Sequence, residues 1–361
     1  MKPRRRLVIF SSLPMVGGHT TTTLKLCELI APSFAQTFVI AKEIPGHGHS
    51  DAASRQLEST GVEVLPWVKG SRVGLLAKLL SQGRPEVFLS IGMRHLSPVL
   101  AVALRPRRSF YYHITHELSQ QMRSQLEHYA KFFSRLVFLS PATWHLYGKK
   151  VQTSWALQPT ALPHENSPIE QRPAGPIRLG FLGRLNEMKG LGALLDIIES
   201  TNSPCELHIA GTGELEPRIR ELAAEADRPG RVVFHGSFQA PERADFLRRF
   251  FSRIDRLCAP SLDDREGIPN VILEALQCGV PVLTTPTGGM RSFALAELGP
   301  APASAVRLVE PSGLQPAIME LVSSAPPDLP TRRNCLRYFE AFFSDAVLRS
   351  RWMKLLGGSE T

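Results

Sequence analysis

Short apolar runs recur along this chain at the spacing of strands alternating with helices. In the first half LVIF (7–10), TFVIA (37–41), VEVLP (62–66), EVFLS (86–90), SFYYHI (109–114) and LVFLS (136–140) read as strands bounded by Gly, Pro and charged turns. Helical patterns lie between them, from Thr21 to Ile30, over VGLLAKLL (73–80), and from Ser119 to Phe133. Residues 158–176 hold five prolines and no periodicity, so they read as a linker. The rhythm then restarts with IRLGFLG (177–183), CELHIAG (205–211), RVVFHG (231–236), RLCAP (256–260) and PVLTT (281–285). Helices are expected from Gly190 to Ser200, from Glu214 to Ala226, and from Asn270 to Cys278, where Gly279 and Pro281 stop the last one. Aromatic and apolar residues alternate with arginines from Arg337 to Leu356, which predicts a final helix that packs on the second half or crosses back to the first. The pattern predicts an α/β protein of two Rossmann-like, doubly wound domains. Their bounds are 1–157, a linker at 158–176, 177–336, and a crossover helix at 337–361.

The 361 residues suit two domains of ordinary size. No run approaches the ~20 apolar residues that cross a bilayer, and LVIF is too short for a signal-peptide core, so a cytosolic protein is expected. The five cysteines are scattered, with no C-x-x-C pair, and read as reduced side chains of the core. Charge changes the picture more. Residues 1–160 carry 20 Lys and Arg against 8 Asp and Glu, a net +12, while residues 161–361 carry 22 against 25, a net −3. A basic first half favours an anionic partner such as a phosphorylated acceptor or an anionic membrane face. The stretch RVGLLAKLLSQGR (72–84) has leucines on one side and cations nearby; it reads equally as a helix resting on anionic lipid and as a core-facing helix.

The sharpest candidate chemistry is REGIPNVILEALQCGVPVLTTPTGG (265–289). Glu266 lies in a loop after an apolar strand, Gly267 lets backbone approach a ligand, and Pro269 suits a helix start. The N–H groups of Gly267, Ile268 and Asn270 then fall near a helix N-terminus, a setting that binds anions and hydroxyls. Glu274, a turn or so into that helix, is placed to reach a diol. In GFLGRLNEMKG (180–190), Arg184 and Lys189 sit between strand and helix, where negative charge on a leaving diphosphate would need them. Further signals are weaker: Gly211 in LHIAGTGELEP, Ser237 and Phe238 after VVFHG, Gly17-Gly18 between the first strand and helix, and His113, His116 and Glu117 in YYHITHELS at a strand's end.

These segments together resemble the family-4 retaining glycosyltransferases, whose fold (GT-B) faces two Rossmann-like domains across a cleft. The resemblance is specific from about 177 to 290 and general before that. It implies that Glu266 contacts the donor sugar near the reacting centre, with Gly267, Ile268, Pro269 and Asn270 around its hydroxyls and the phosphates, and that Glu274 holds the nucleotide ribose. It implies that Arg184 and Lys189 grip the diphosphate and that Gly211, Ser237 and Phe238 border the base. Gly288-Gly289 matches the family's glycine pair. Gly17 and Gly18 resemble a loop beside the phosphates, and His116 a histidine pointing at the donor sugar, with His113 and Glu117 toward the acceptor. Two departures stand at the rim: Met290-Arg291-Ser292 follow the glycine pair where an acidic residue is common, and 297–313 lacks the usual glycine turn.

The expected reaction is transfer of a hexose from a UDP- or GDP-sugar to a glycan or lipid-linked acceptor, with retention, in polysaccharide or lipopolysaccharide assembly. No cofactor and no metal are expected: Asp263-Asp264 sit beside Arg265 and read as loop surface. A cytoplasmic site, peripheral on the membrane's cytosolic face, fits the basic half. A sugar-nucleotide epimerase of similar architecture is the runner-up. A nucleic-acid-binding protein using the basic half is the alternative of another class; no zinc finger, RNA-binding aromatic signature or basic stripe supports it, and no nucleic acid is expected.

Overall fold

The computed structural model describes residues 5–13, 18–42, 50–68, 72–92, 96–116, 118–150, 152–158, 160, 162, 175–225, 230–237 and 243–357. The chain forms two compact units. One is Met1–Pro159 together with Asp345–Thr361, and the other is Thr160–Ser344.

The first unit alternates β1 (Arg6–Ser11), α1 (Gly18–Ile30), β2 (Gln36–Lys42), α2 (Asp51–Ser59), β3 (Glu63–Trp67), α3 (Arg72–Ser81), β4 (Val87–Ile91), α4 (Ser97–Leu104), β5 (Arg108–His113), α5 (Gln120–Tyr129), β6 (Arg135–Phe138), α6 (Pro141–Tyr147) and β7 (Thr153–Trp155). Its seven strands are parallel, in the order β3-β2-β1-β4-β5-β6-β7. Every residue of β1 and of β4 is buried. That is why both read as unbroken apolar runs: a parallel strand has a helical layer on each face. In α3, Leu75 and Leu79 point into this core, Lys78 pairs with Glu63, and the Arg72 guanidinium lies over the Trp67 ring. The core-facing reading of 72–84 therefore holds for Leu75 and Leu79, while Leu80 is exposed.

The second unit runs β8 (Ile177–Arg184), α7 (Leu191–Ser200), β9 (Cys205–Thr212), α8 (Glu216–Ala223), β10 (Val232–Phe234), α9 (Arg243–Arg253), β11 (Arg256–Ala259), α10 (Asn270–Gln277), β12 (Val282–Thr284), β13 (Val306–Leu308), α11 (Leu314–Val322) and α12 (Leu329–Phe342). Its six strands are parallel in the order β10-β9-β8-β11-β12-β13. The order reverses between β1 and β4 in one sheet and between β8 and β11 in the other, the switch points where doubly wound sheets bind ligands.

The tail differs from the single helix expected at 337–356. Two helices form, broken at Phe343-Ser344. α12 begins at Leu329 and packs on α10, so it stays with the second unit. Asp255, wholly buried, accepts from Arg178 at 3.0 Å and from Arg332 of α12 at 3.1 Å, which ties that helix beneath β8 and β11. Only α13 (Asp345–Leu356) returns to the first unit. There the buried Trp352 donates its indole N–H to the Leu157 carbonyl at 3.0 Å and meets Tyr112 edge-on at 5.0 Å. Leu348 and Leu356 are wholly buried beside it, each worth about 1.5–3 kcal/mol.

Candidate active site

The second unit gathers its charged candidates at the switch between β8 and β11. β8 ends on Gly183-Arg184, and the guanidinium of Arg184 is exposed with no partner among the described residues. A single 3-10 turn, Glu187–Lys189, follows. The Asn186 side chain accepts from the Lys189 N–H at 3.2 Å, and Gly190 takes φ +70°, where a side chain would strike the Pro260 carbonyl. This turn is stitched to the loop after β11, because Leu262 N–H donates to the Met188 carbonyl at 2.8 Å. The two loops thus carry Lys189 and Glu266 together, and their side chains form an ion pair. Both are largely buried, at 16 % and 18 % side-chain exposure. The second Glu266 oxygen is buried and has no partner among the described residues. A carboxylate with one oxygen committed to a lysine and one left without a donor keeps capacity to accept a further hydrogen bond.

The glycine pair has a mechanical reason. Gly289 N–H donates to the Glu266 carbonyl at 2.8 Å, and Gly288 N–H to Asp264 Oδ1 at 2.8 Å. Gly288 sits at φ +50°, and a Cβ there would collide with the Glu266 carbonyl oxygen; one on Gly289 would collide with the Gly267 backbone. The loop after β12 thus passes directly over the backbone of Glu266-Gly267. Asp263 and Asp264 do more than cover a loop. Asp263 binds Arg265, which holds its carboxyl below the usual range, while Asp264 also accepts from Arg291 at 2.6 Å. Arg291, at the departing rim position, is thereby neutralised. Thr285 and Thr287 both donate to the Ser261 carbonyl, fixing the other end of the loop.

Pro269 caps α10 in an extended conformation, and Asn270 is its first residue. The N–H groups of Gly267 and Ile268 have no acceptor among the described residues, and the Ile268 side chain is buried. They sit just before a helix N-terminus, as anion binding requires. Glu274 has no exposure at all. Its Oε1 and Oε2 accept from Arg243 Nη2 at 3.0 and 3.2 Å. Arg243 was absent from the expected site: it opens α9, a helix the apolar pattern did not flag. Gly211 is buried at φ +144°. Its N–H donates to the Gly236 carbonyl at 2.9 Å, and a Cβ would strike the Gly183 carbonyl. Its first duty is to let β8 and β9 approach. Ser237 is exposed just beyond β10.

The first unit is quieter. His116 is buried, with Nδ1 2.7 Å from Thr143 Oγ1, and that hydroxyl also meets Ser140. His113, at the end of β5, is buried against the Phe138 ring, with Nε2 3.3 Å from Thr115 Oγ1. Around the β1–β4 switch, Ser11 meets Thr23 at 2.7 Å and Ser90 meets Ser97 at 2.5 Å. Gly18 opens α1. Gly17, Glu117, Phe238 and most of the expected 158–176 linker lie outside the described residues. Among the described residues no cluster of three or more His, Cys, Asp or Glu is arranged to hold a metal ion, and no helix is long and apolar enough to cross a membrane.

Comparison with known proteins meets the same half. Residues 176–322 match the family model described as glycosyl transferases group 1. The amylovoran biosynthesis glycosyltransferase AmsK of Erwinia amylovora is 31 % identical over 122 residues, 32 % of this chain and 29 % of that protein. The D-inositol 3-phosphate glycosyltransferase of Arthrobacter sp. (strain FB24) is 30 % identical over 125 residues, 33 % of this chain and 28 % of that protein. The matches therefore span under a third of these relatives' length. Solved structures extend the likeness of fold to the whole chain. HepE of Anabaena in complex with UDP superposes with a TM-score of 0.68 at 17 % identity, covering 98 % of this chain and 99 % of that one. A glycosyltransferase from Rickettsia africae gives 0.70 at 12 % identity, covering 98 % of each. The lipopolysaccharide outer core galactosyltransferase WaaB gives 0.67 at 15 %, covering 98 % and 99 %.

Proposed function

We propose, from residues 176–322 belonging to the glycosyl transferases group 1 family and from a GT-B fold over the whole chain, that this protein transfers a hexose from a UDP- or GDP-sugar to a glycan or lipid-linked acceptor. The transfer proceeds with retention, and the donor site lies in the second unit. The observation that carries the reading is the Lys189–Glu266 pair at the β8–β11 switch, where Arg184 ends β8 with no partner among the described residues. As the glycosidic bond breaks, charge develops on the departing diphosphate. Arg184, Lys189 and the N–H groups of Gly267 and Ile268 are the groups suited to meet it. Glu266, with one oxygen uncommitted, accepts from a donor-sugar hydroxyl and positions the ring, and Glu274 accepts from the ribose. In this reading His116 is the first unit's group for the donor sugar, and His113 and Glu117 are its groups for the acceptor.

No step of this mechanism needs a metal ion, because protein cations hold the diphosphate. The acceptor class is supported by the names of the relatives, amylovoran biosynthesis and lipopolysaccharide outer core. A place on the cytosolic face of an anionic membrane is supported by the basic first half and by the exposed Val99 and Val102 of α4.

The test is a panel of UDP- and GDP-sugars scored by thermal stabilisation and by nucleotide release, with and without a chelator. One nucleotide class should raise the melting temperature by mass action. Lys189→Ala and Glu274→Ala should lose that shift, and chelation should leave release unchanged. If no sugar nucleotide stabilises the wild type, the donor site is wrong. Interconversion of the sugar nucleotide without an acceptor would favour the epimerase reading.

A further inference from the structure

Glu274 is a carboxylate taken wholly out of water, and Arg243 is its observed cation. The contact is made by one guanidinium nitrogen bridging both carboxylate oxygens, at 3.0 and 3.2 Å. Arg243 does not come from the motif that carries Glu274. It comes from the first residue of α9, so two separate elements meet at this carboxylate. A charged carboxylate without a compensating cation in such a place is costly, and a carboxyl group that escapes the cost by binding a proton presents a donor in place of an acceptor. A vicinal diol offers two O–H donors, and it needs an acceptor-only group held still.

We infer that Arg243 is the positioning residue of the ribose subsite: it fixes Glu274 as a charged, oriented acceptor for the diol of the donor nucleoside. The inference rests on the donor reading of Glu274 given above. A merely structural ion pair is the competing account. Both accounts expect lost stability when Arg243 is cut back, but only positioning expects lost recognition of the diol with the diphosphate contacts intact.

The experiment is calorimetric titration of the full chain with UDP, 2′-deoxy-UDP and inorganic pyrophosphate, or with the guanosine pair if that class stabilises the protein. The proteins are wild type, Arg243→Met and Arg243→Lys, each checked for folding by circular dichroism. Wild type should prefer the ribonucleotide roughly ten- to a hundredfold, the worth of hydrogen bonds to a charged group. Arg243→Met should bring that preference within about twofold while pyrophosphate affinity stays at the wild-type value, and Arg243→Lys should fall between. Retention of the full preference in a folded Arg243→Met protein overturns the inference, as does an equal loss of pyrophosphate binding. If the methionine variant does not fold, the lysine variant decides: a reduced preference supports positioning, and an unchanged one overturns it. Absence of nucleotide binding, or of any diol preference, in the wild type removes the ribose assignment itself, a separate failure.

Discussion

The two units share one architecture and differ in what they place at the strand ends. Both are parallel, doubly wound sheets with the same reversal of strand order. At the second unit's switch stand, among the described residues, an arginine without a partner, a lysine–glutamate pair with one carboxylate oxygen unpaired, and two N–H groups without acceptors. At the first unit's switch serines and threonines bond to one another, and beyond β5 His113 and His116 rest on neighbouring hydroxyls. The charge and donors left uncommitted on the second sheet are groups that an anionic, hydroxylated ligand would engage. The family match falls on that second sheet alone, 176–322.

The largest effect that would break this contrast comes from the pair itself. Lys189→Met or Glu266→Gln should lower the rate of sugar transfer about 10²–10³-fold, the usual loss when one charge-stabilising group is removed. Steady-state assays on folded protein check this; a loss under tenfold would mean the charge at the switch is idle. Next is Gly288→Ala. Its φ of +50° and the collision with the Glu266 carbonyl should cost about 1–3 kcal/mol in denaturant unfolding, with donor binding lost in step. Third, His116→Ala should cut transfer about tenfold, the worth of one hydrogen bond of about 1.4 kcal/mol, and leave nucleotide affinity within about twofold. If affinity falls as it does for Lys189→Met, the first unit shapes the donor site too and the division of labour fails.

The smallest effect concerns acid. His235 stacks on His208 with nitrogens 3.0 Å apart, and Glu206 accepts from the far side of His208. Desolvation, with the His208 ring and Arg253 adding to it, pushes His235 down to about 4, and desolvation also lowers His208. A folded value below the ordinary 6.5 means the unfolded chain takes the proton first. The contribution to stability is therefore whole above about pH 6.5 and drains away as the pH falls toward 4. Melting temperatures from pH 7 to pH 4.5 should drop less steeply for His235→Phe than for wild type, and parallel curves would show that the imidazole pair does not titrate with unfolding.

The strands legible in the sequence were those buried on both faces, such as LVIF and IRLGFLG, where burial writes an unbroken apolar run. The edge strands β7 and β13 were not, since Ser154 and Arg307 interrupt the short runs Thr153–Trp155 and Val306–Leu308. The helix expected at 337–356 keeps its apolar spacing across the break at Phe343-Ser344, so periodicity alone could not divide it between units. Within the candidate site, Arg184, Lys189 and Glu266 could be singled out because each stands between a strand and a helix with glycine beside it, and Glu274, inside α10, by its spacing from Glu266. Arg243 was not, because an arginine at the head of a helix carries no mark of the carboxylate it will meet. That partner lies a full element away, on α10, and only the folded chain brings them together.

The returning helix has a consequence in time. Trp352, wholly buried against Tyr112 and the Leu157 carbonyl, belongs to the unit whose strands are synthesised first, yet it leaves the ribosome after the entire second unit. Domains generally form as they emerge. Here the earlier domain must wait, its sheet made but one helical cover missing, while the later one folds to completion. A stretch of chain translated after the second unit thus closes the first.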